Sequence, residues 1–187
     1  MTLEDIYAEI SAHMIKGLMI HEQFANYYDF LGLCGYKKCH EYHYYEESCN
    51  FRKLNSYYIN HHNKLIPYKE FENPSIIPSK WYAHERGDVD FGTRKAAIRD
   101  GMIKWVEWEK QTKILYEQMY KTLVENDEVA SATFVEELIR DVDYELAEAE
   151  MYYINKEAIG YDIVSIIEEQ KSLEKTYIKK ICKCIDK

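Results

Sequence analysis

Proline and glycine are scarce: 3 Pro and 7 Gly in 187 residues, with Pro67, Pro74 and Pro78 confined to one short stretch. Both residue types break helices, so the rest of the chain is free to form long uninterrupted ones. No apolar run approaches the length of a membrane span. The start, Met1-Thr2-Leu3-Glu4-Asp5, lacks the basic region and apolar core of a secretory signal, which makes the cytoplasm the expected location. Basic charge is in deficit as well. With 24 Lys and Arg against 33 Asp and Glu, the net charge of -9 repels nucleic acid and anionic membranes, so neither is expected as a partner. The cysteines, Cys34, Cys39, Cys49, Cys182 and Cys184, match no zinc-knuckle or Cys-x-x-Cys spacing and read as reduced thiols. There is no phosphate-cradling glycine loop, no Gly-x-Ser-x-Gly elbow and no nucleophile with a base at a readable spacing. No catalytic residue or organic-cofactor site is therefore assigned.

What is present is helical periodicity. Thr2 and Asp5 form a capping pattern for a first helix running to about Leu33, and Gly32 and Gly35 bracket a tight turn. A second helix folds back antiparallel from about Tyr36 to Ile66, where Pro67 stops it. The stretch from Pro67 to Gly92 reads as a crossover travelling the length of a bundle. Thr93 is the expected cap of a third helix ending near Glu125, and Ser131 that of a fourth ending near Gly160. Asp162 caps a fifth, Ile163 to Ile185, whose amphipathic stripe packs on the bundle or on a second copy.

Four glutamates stand where this periodicity places apolar side chains. In the third helix Ile98, Met102, Trp105, Glu109, Thr112, Tyr116, Met119 and Leu123 recur at spacings of three and four, an inward seam with Glu109 at its middle. Phe134, Leu138, Val142, Glu145, Ala149 and Tyr152 repeat the pattern in the fourth helix, and Met14, Leu18, Glu22, Ala25 and Tyr28 in the first. His40, His43, Glu47, Asn50, Leu54 and Tyr58 make a more polar version in the second. A charge-rich helix brings an occasional glutamate to its stripe by chance. Four in four helices point to a site, because buried charges are normally paired or metal-bound.

The heights agree. In two hairpins joined by a full-length crossover, Glu22 lies about 11 residues before the first turn and Glu47 about 13 after it. Glu109 lies about 19 before the opposite turn and Glu145 about 17 after it, which in a bundle about 30 residues tall is the same layer. Asp141 falls about one turn away. One acid per helix at a common height binds two divalent ions in helical bundles, and oxygen ligands with some imidazole suit iron or manganese.

The local motifs resemble those of the ferritin-like superfamily. Glu22-Gln-Phe-Ala25-Asn-Tyr27 is similar to the Glu-x-x-Ala-x-Tyr of ferritin first helices, and Glu46-Glu47-Ser-Cys-Asn50-Phe-Arg-Lys53-Leu54 to their Glu-Glu-x-x-His-x-x-Lys-Leu. Glu107-Trp-Glu109-Lys110 is similar to their Glu-His-Glu-Lys, and the resemblance spans residues 3 to about 160. It implies an all-α, ferritin-like four-helix bundle of up-down pairs with a long crossover, about 67–92; the C-terminal fifth helix, about 163–185, read from its own stripe, completes the expected single domain over 1–187. It further implies a metal site of Glu22, Glu47, Asn50, Glu109 and Glu145 holding iron or manganese, ferroxidase or di-iron oxidase chemistry, and a homo-oligomer of at least two chains.

Departures temper that set. Asn50 stands where the family has a ligating His, and Glu148 stands where a second Glu-x-x-His would finish. His43, one turn before Glu47, either reaches toward the metal or is a polar residue on a polar stripe; Asp141 and Glu148 are further candidates. The rival reading is a non-catalytic bundle with a decayed site, acting in assembly or partner binding. His40, His61 and His62 read as surface or interface residues, the 18 tyrosines mainly as interface or bundle rim, and Trp108 as a subunit contact.

Overall fold

Thr2 opens the first helix as a reciprocal cap: its side-chain oxygen accepts from the Asp5 N–H at 3.1 Å, and the Asp5 carboxylate accepts from the Thr2 N–H at 2.9 Å. In this computed structural model, which describes residues 1–185, α1 (Leu3–Phe30) turns through Gly32, at φ +74°, into α2 (Cys34–His62). The second helix ends four residues earlier than the proline predicts, at a left-handed Asn63, φ 54°. After the crossover come α3 (Phe91–Glu125), α4 (Val129–Ala158) and α5 (Ile163–Ile185), and no strand occurs among the described residues.

Two expected caps are replaced. Asp90, not Thr93, caps α3 by accepting the Thr93 N–H at 2.7 Å; Ser131 is buried within α4, whose N-cap is Glu128. Asp162 does cap α5, accepting the Ser165 N–H at 2.9 Å.

The crossover climbs along α1. Lys64 pairs with Glu4 at its start, the Gln23 side chain clasps Pro74 O (2.7 Å) and Ile76 N (3.2 Å), and Arg86 reaches the Asp29 and Phe30 carbonyls at its end. That route returns the chain to the top of α1, so α3 descends beside it, with the Tyr27 hydroxyl bonded to Ala97 O at 2.8 Å. The order is up, down, down, up.

The fifth helix descends along α2. The Tyr36 N–H is donated to Gln170 Oε1 at 3.1 Å, and the Tyr152 and Tyr177 hydroxyls meet at 3.1 Å, tying α5 to α2 and α4. Gly35 permits the close approach: a Cβ there would lie 2.7 Å from Leu173 Cβ and 2.8 Å from the Gln170 carbonyl oxygen. Gly35→Val is therefore expected to push α5 outward and cost about 1–3 kcal/mol, read as a lowered urea midpoint.

The apolar core is in two parts. One cluster holds Phe24, Tyr28, Tyr36, Met102 and Trp105 in the upper half; the other holds Ile10, Met14, Leu54, Tyr58, Tyr116 and Leu138 in the lower half. Between them lies a polar layer. Nine of the 18 tyrosines (7, 27, 28, 36, 58, 116, 152, 161 and 177) are buried, so half of them build the core and not a rim.

Candidate metal centre

Glu47 of α2, Glu109 of α3 and Glu145 of α4 meet in the layer that divides the core. Glu47 and Glu109 are 6% and 1% exposed, and the Glu145 side chain is 14% exposed. Helix geometry puts them there: Glu109 and Glu145 lie three or four residues from apolar members of their seams, and Glu47 lies between His43 and Asn50 on the more polar seam that continues to Leu54. Glu109 accepts the Trp105 indole N–H at 2.9 Å; Glu47 Oε2 is buried without a partner.

Three histidines complete the layer. His43 of α2 sits among acids: Nε2 lies 3.1 Å from Glu148 Oε2, and Nδ1 lies 3.5 Å from Glu46 Oε2 and 3.9 Å from Glu145 Oε1. His21 of α1 places Nε2 3.8 Å from Glu109 Oε1, and its Nδ1 lies 3.2 Å from His40 Nδ1. Donor atoms of His21, Glu109 and Glu145 fall within 4.8 Å of one another, as do those of His43, Glu46 and Glu145 and those of Cys39, His43 and Glu148.

The electrostatics follow from burial and like charge. Desolvation, with the neighbouring Glu145 and Glu109, holds the Glu47 carboxyl well above the usual range; desolvation and Glu145 do the same to Glu109. Glu145 is raised by burial against the opposing pull of His43. Burial works against a charge on His43, but the Cys39 thiol and the carboxylates of Glu145, Glu148 and Glu46 outweigh it and lift the imidazole well above its ordinary value. Burial would also raise Glu148, yet His43, Tyr177 and Lys180 bring it down to about 2. Burial, reinforced by His43, pushes His21 well below its ordinary value, so that ring is neutral.

Glu22 does not join them. It is exposed and accepts a hydrogen bond from Asn26 at 3.2 Å, while His21 faces inward in its place. Both 14-18-22-25-28 and 14-17-21-24-28 step by threes and fours, but only the second alternates them, and that one, through Gly17, His21 and Phe24, is the buried seam. One residue is about 100° of helix, enough to turn a carboxylate out to water. Gly17 leaves room for the Glu47 carboxylate, whose Oε1 lies 3.0 Å from where a Cβ would be. Asn50 is half-buried and accepts from Lys53 at 3.3 Å; Asp141 is exposed. His40 is wholly buried, not superficial, and Trp108 is buried with its ring stacked on His13.

No protein-family model matches the sequence, and no curated protein matches it significantly. Solved structures do. A closed form of the Archaeoglobus fulgidus ferritin engineered by site-directed mutagenesis superposes with a TM-score of 0.74 at 16% identity, covering 93% of this chain and 96% of that one. The fold is ferritin-like. A humanized archaeal ferritin (TM-score 0.73, 16% identity, 93% and 98% covered) and an open pore ferritin from Archaeoglobus fulgidus (0.74, 16%, 91% and 94%) agree.

Within this ferritin-like bundle, Glu47 and Glu109 of the sequence motifs lie inside and Glu22 outside. His21 and His40 were the missed signal. His21 sits one residue before the chosen acid, and Phe24, a large apolar residue off the chosen stripe, marks the true seam.

A groove of about 910 Å³ opens onto the layer between α2 and α4, with His43, Glu145 and Glu148 among its lining residues and Arg52, Lys53 and Lys180 also lining it. A second, atom-sized space of about 10 Å³ lies between Glu47, Asn50, Tyr116, Asp141 and Glu145. No helix among the described residues is long and apolar enough to cross a membrane.

Proposed function

We propose that the chain binds iron or manganese between its helices, with Glu47, Glu109 and Glu145 as carboxylate ligands and His43, Asn50 and Glu148 at the margin. The observation that carries this reading is the polar layer itself. Three carboxylates are drawn together inside an apolar core, with one oxygen of Glu47 left without any partner. That defect costs free energy unless a cation offsets it. Hard oxygen donors with imidazole beside them suit iron or manganese.

Two ion positions sharing Glu145 are compatible with this set: the atom-sized space beside Glu47 and Asn50, and the neighbourhood of Glu109. Bound iron would supply redox chemistry toward dioxygen, and the groove between α2 and α4 gives Fe(II) or a small organic substrate a path from solvent. The exposed row Tyr144, Met151 and Ile154 on α4 supports assembly as a homo-oligomer.

A specific feature favours the metal-free alternative. α1 brings no carboxylate into the layer, and a protonated His43 offsets part of the charge on Glu46, Glu145 and Glu148. Purification with Fe(II) or Mn(II) under anaerobic conditions, followed by elemental analysis, separates the two. The expected result is at least one ion per chain in the native protein and background metal in Glu109→Ala, with oxidation of bound Fe(II) on admitting air. Equal background in both proteins leaves a bundle for assembly alone.

A further inference from the structure

We propose that α1 contributes an imidazole where it lacks a carboxylate: His21 Nε2 is a metal ligand together with Glu109 and Glu145, and this position fills before the oxygen-only one beside Glu47 and Asn50. The inference rests on the metal-binding reading above and specifies the atoms that carry it.

His21 is 0% exposed, and its Nε2 has no hydrogen-bond partner. A buried imidazole nitrogen without a partner is a defect in need of a cause. The tautomers narrow that cause. His21 Nδ1 and His40 Nδ1 are 3.2 Å apart, so one of them is protonated and donates to the other. With His21 as donor, its Nε2 holds a bare lone pair in a dry core, 3.8 Å from Glu109 Oε1 and beyond hydrogen-bond reach of it. With His40 as donor, His21 carries a proton on Nε2 that meets no acceptor at bonding distance. Only the first arrangement is relieved by a cation, and it is the tautomer that metal ligation requires.

The geometry suits an ion. Two donor atoms 3.8 Å apart can each lie about 2.1 Å from one metal, and a Glu145 oxygen is within 4.8 Å of both. His40 holds the His21 ring in place, as outer-shell partners do for ligating histidines. Its own ring is fixed by stacking on Phe24 (4.7 Å between centroids) and Tyr28 (5.4 Å), with Trp105 edge-on at 4.6 Å. Imidazole with two carboxylates binds borderline divalent ions more tightly than oxygen alone, which sets the order of filling.

The test uses the full chain labelled with ¹⁵N at histidine and titrated with Zn(II) as a diamagnetic probe, in parallel with calorimetry. The first equivalent is expected to shift one imidazole Nε2 resonance, assigned to His21 by its absence in His21→Gln. In that variant the first binding phase is expected to weaken at least about tenfold, with the second retained. Zn(II) bound by the native protein with His21 Nε2 unmoved overturns the inference and leaves the metal-binding reading standing. No Zn(II) or Mn(II) bound at all removes both. Should His21→Gln fail to fold, the native spectrum decides alone, with assignment through the hydrogen-bond coupling between the Nδ1 atoms of His21, the donor, and His40.

Discussion

Glu47→Gln and Glu109→Gln are expected to make the metal-free protein more stable near neutral pH while removing its capacity for metal. Each native carboxyl is buried beside another acid, and both are held well above the usual carboxylate range, first by desolvation and then by their neighbours. Ionising them in the folded state therefore costs free energy. An amide of nearly the same shape removes the charge, and in Glu109→Gln its oxygen can still accept the Trp105 N–H now bonded at 2.9 Å. The gain with a chelator present is roughly 1–3 kcal/mol, the size of a buried group left unsatisfied. The loss is larger in relative terms. A ligand oxygen is at least as important as the outer-shell groups whose removal weakens metal binding roughly 10–100-fold. Glu22→Gln is the control: Glu22 is exposed, so stability should change by less than about 0.5 kcal/mol and metal affinity should not change. Denaturation with and without chelator measures all three variants. Stability falling in both core variants without metal would show these carboxyls to be structural.

The helices could be read from the sequence because their signals are redundant. Long stripes of apolar residues, prolines confined to the crossover and the Thr2–Asp5 box all point the same way, and an error of one residue at an end changes nothing. The layer was legible for the same reason in α3 and α4, where Trp105, Glu109, Thr112 and Tyr116, and Leu138, Val142, Glu145 and Ala149, leave one choice of seam. In α1 two seams compete, and small Gly17 and polar His21 hide the correct one. The ferritin-like motif around Glu22 agrees with the other seam, but a short motif fixes no rotation about the helix axis. The histidine cluster was illegible for another reason: His21 and His40 are paired by the antiparallel packing of α1 on α2, a contact between residues that share no local pattern.

His43→Leu is expected to have the largest effect on stability, a loss of about 3–5 kcal/mol in the metal-free protein, because it strips buried acids of their cation. Its pH dependence follows from the directions of the shifts. His43 is raised on folding, so its contribution is complete below the unfolded value of about 6.5 and is lost as pH climbs through the folded one. Glu148, held down to about 2, contributes above the unfolded value and loses that contribution as acid returns its proton. Glu47, Glu109 and Glu145 are raised, so folding retains protons that the unfolded chain has released, and each destabilises progressively as pH rises above about 4.3. His43 and Glu148 both contribute fully between roughly pH 4.5 and 6.5, while the three raised carboxyls already weaken the fold as pH rises through that window, so the sum is most favourable at its acid edge. The chelated native protein should be most stable there and weaken toward alkali, and the deficit of His43→Leu should be greatest in that window and narrow above it. Metal reverses the slope, because its ligands bind as deprotonated groups and affinity rises with pH. Urea midpoints across this range, with chelator and with Mn(II), are expected to diverge as pH increases. Parallel curves would mean that the buried acids and the cation do not share a site.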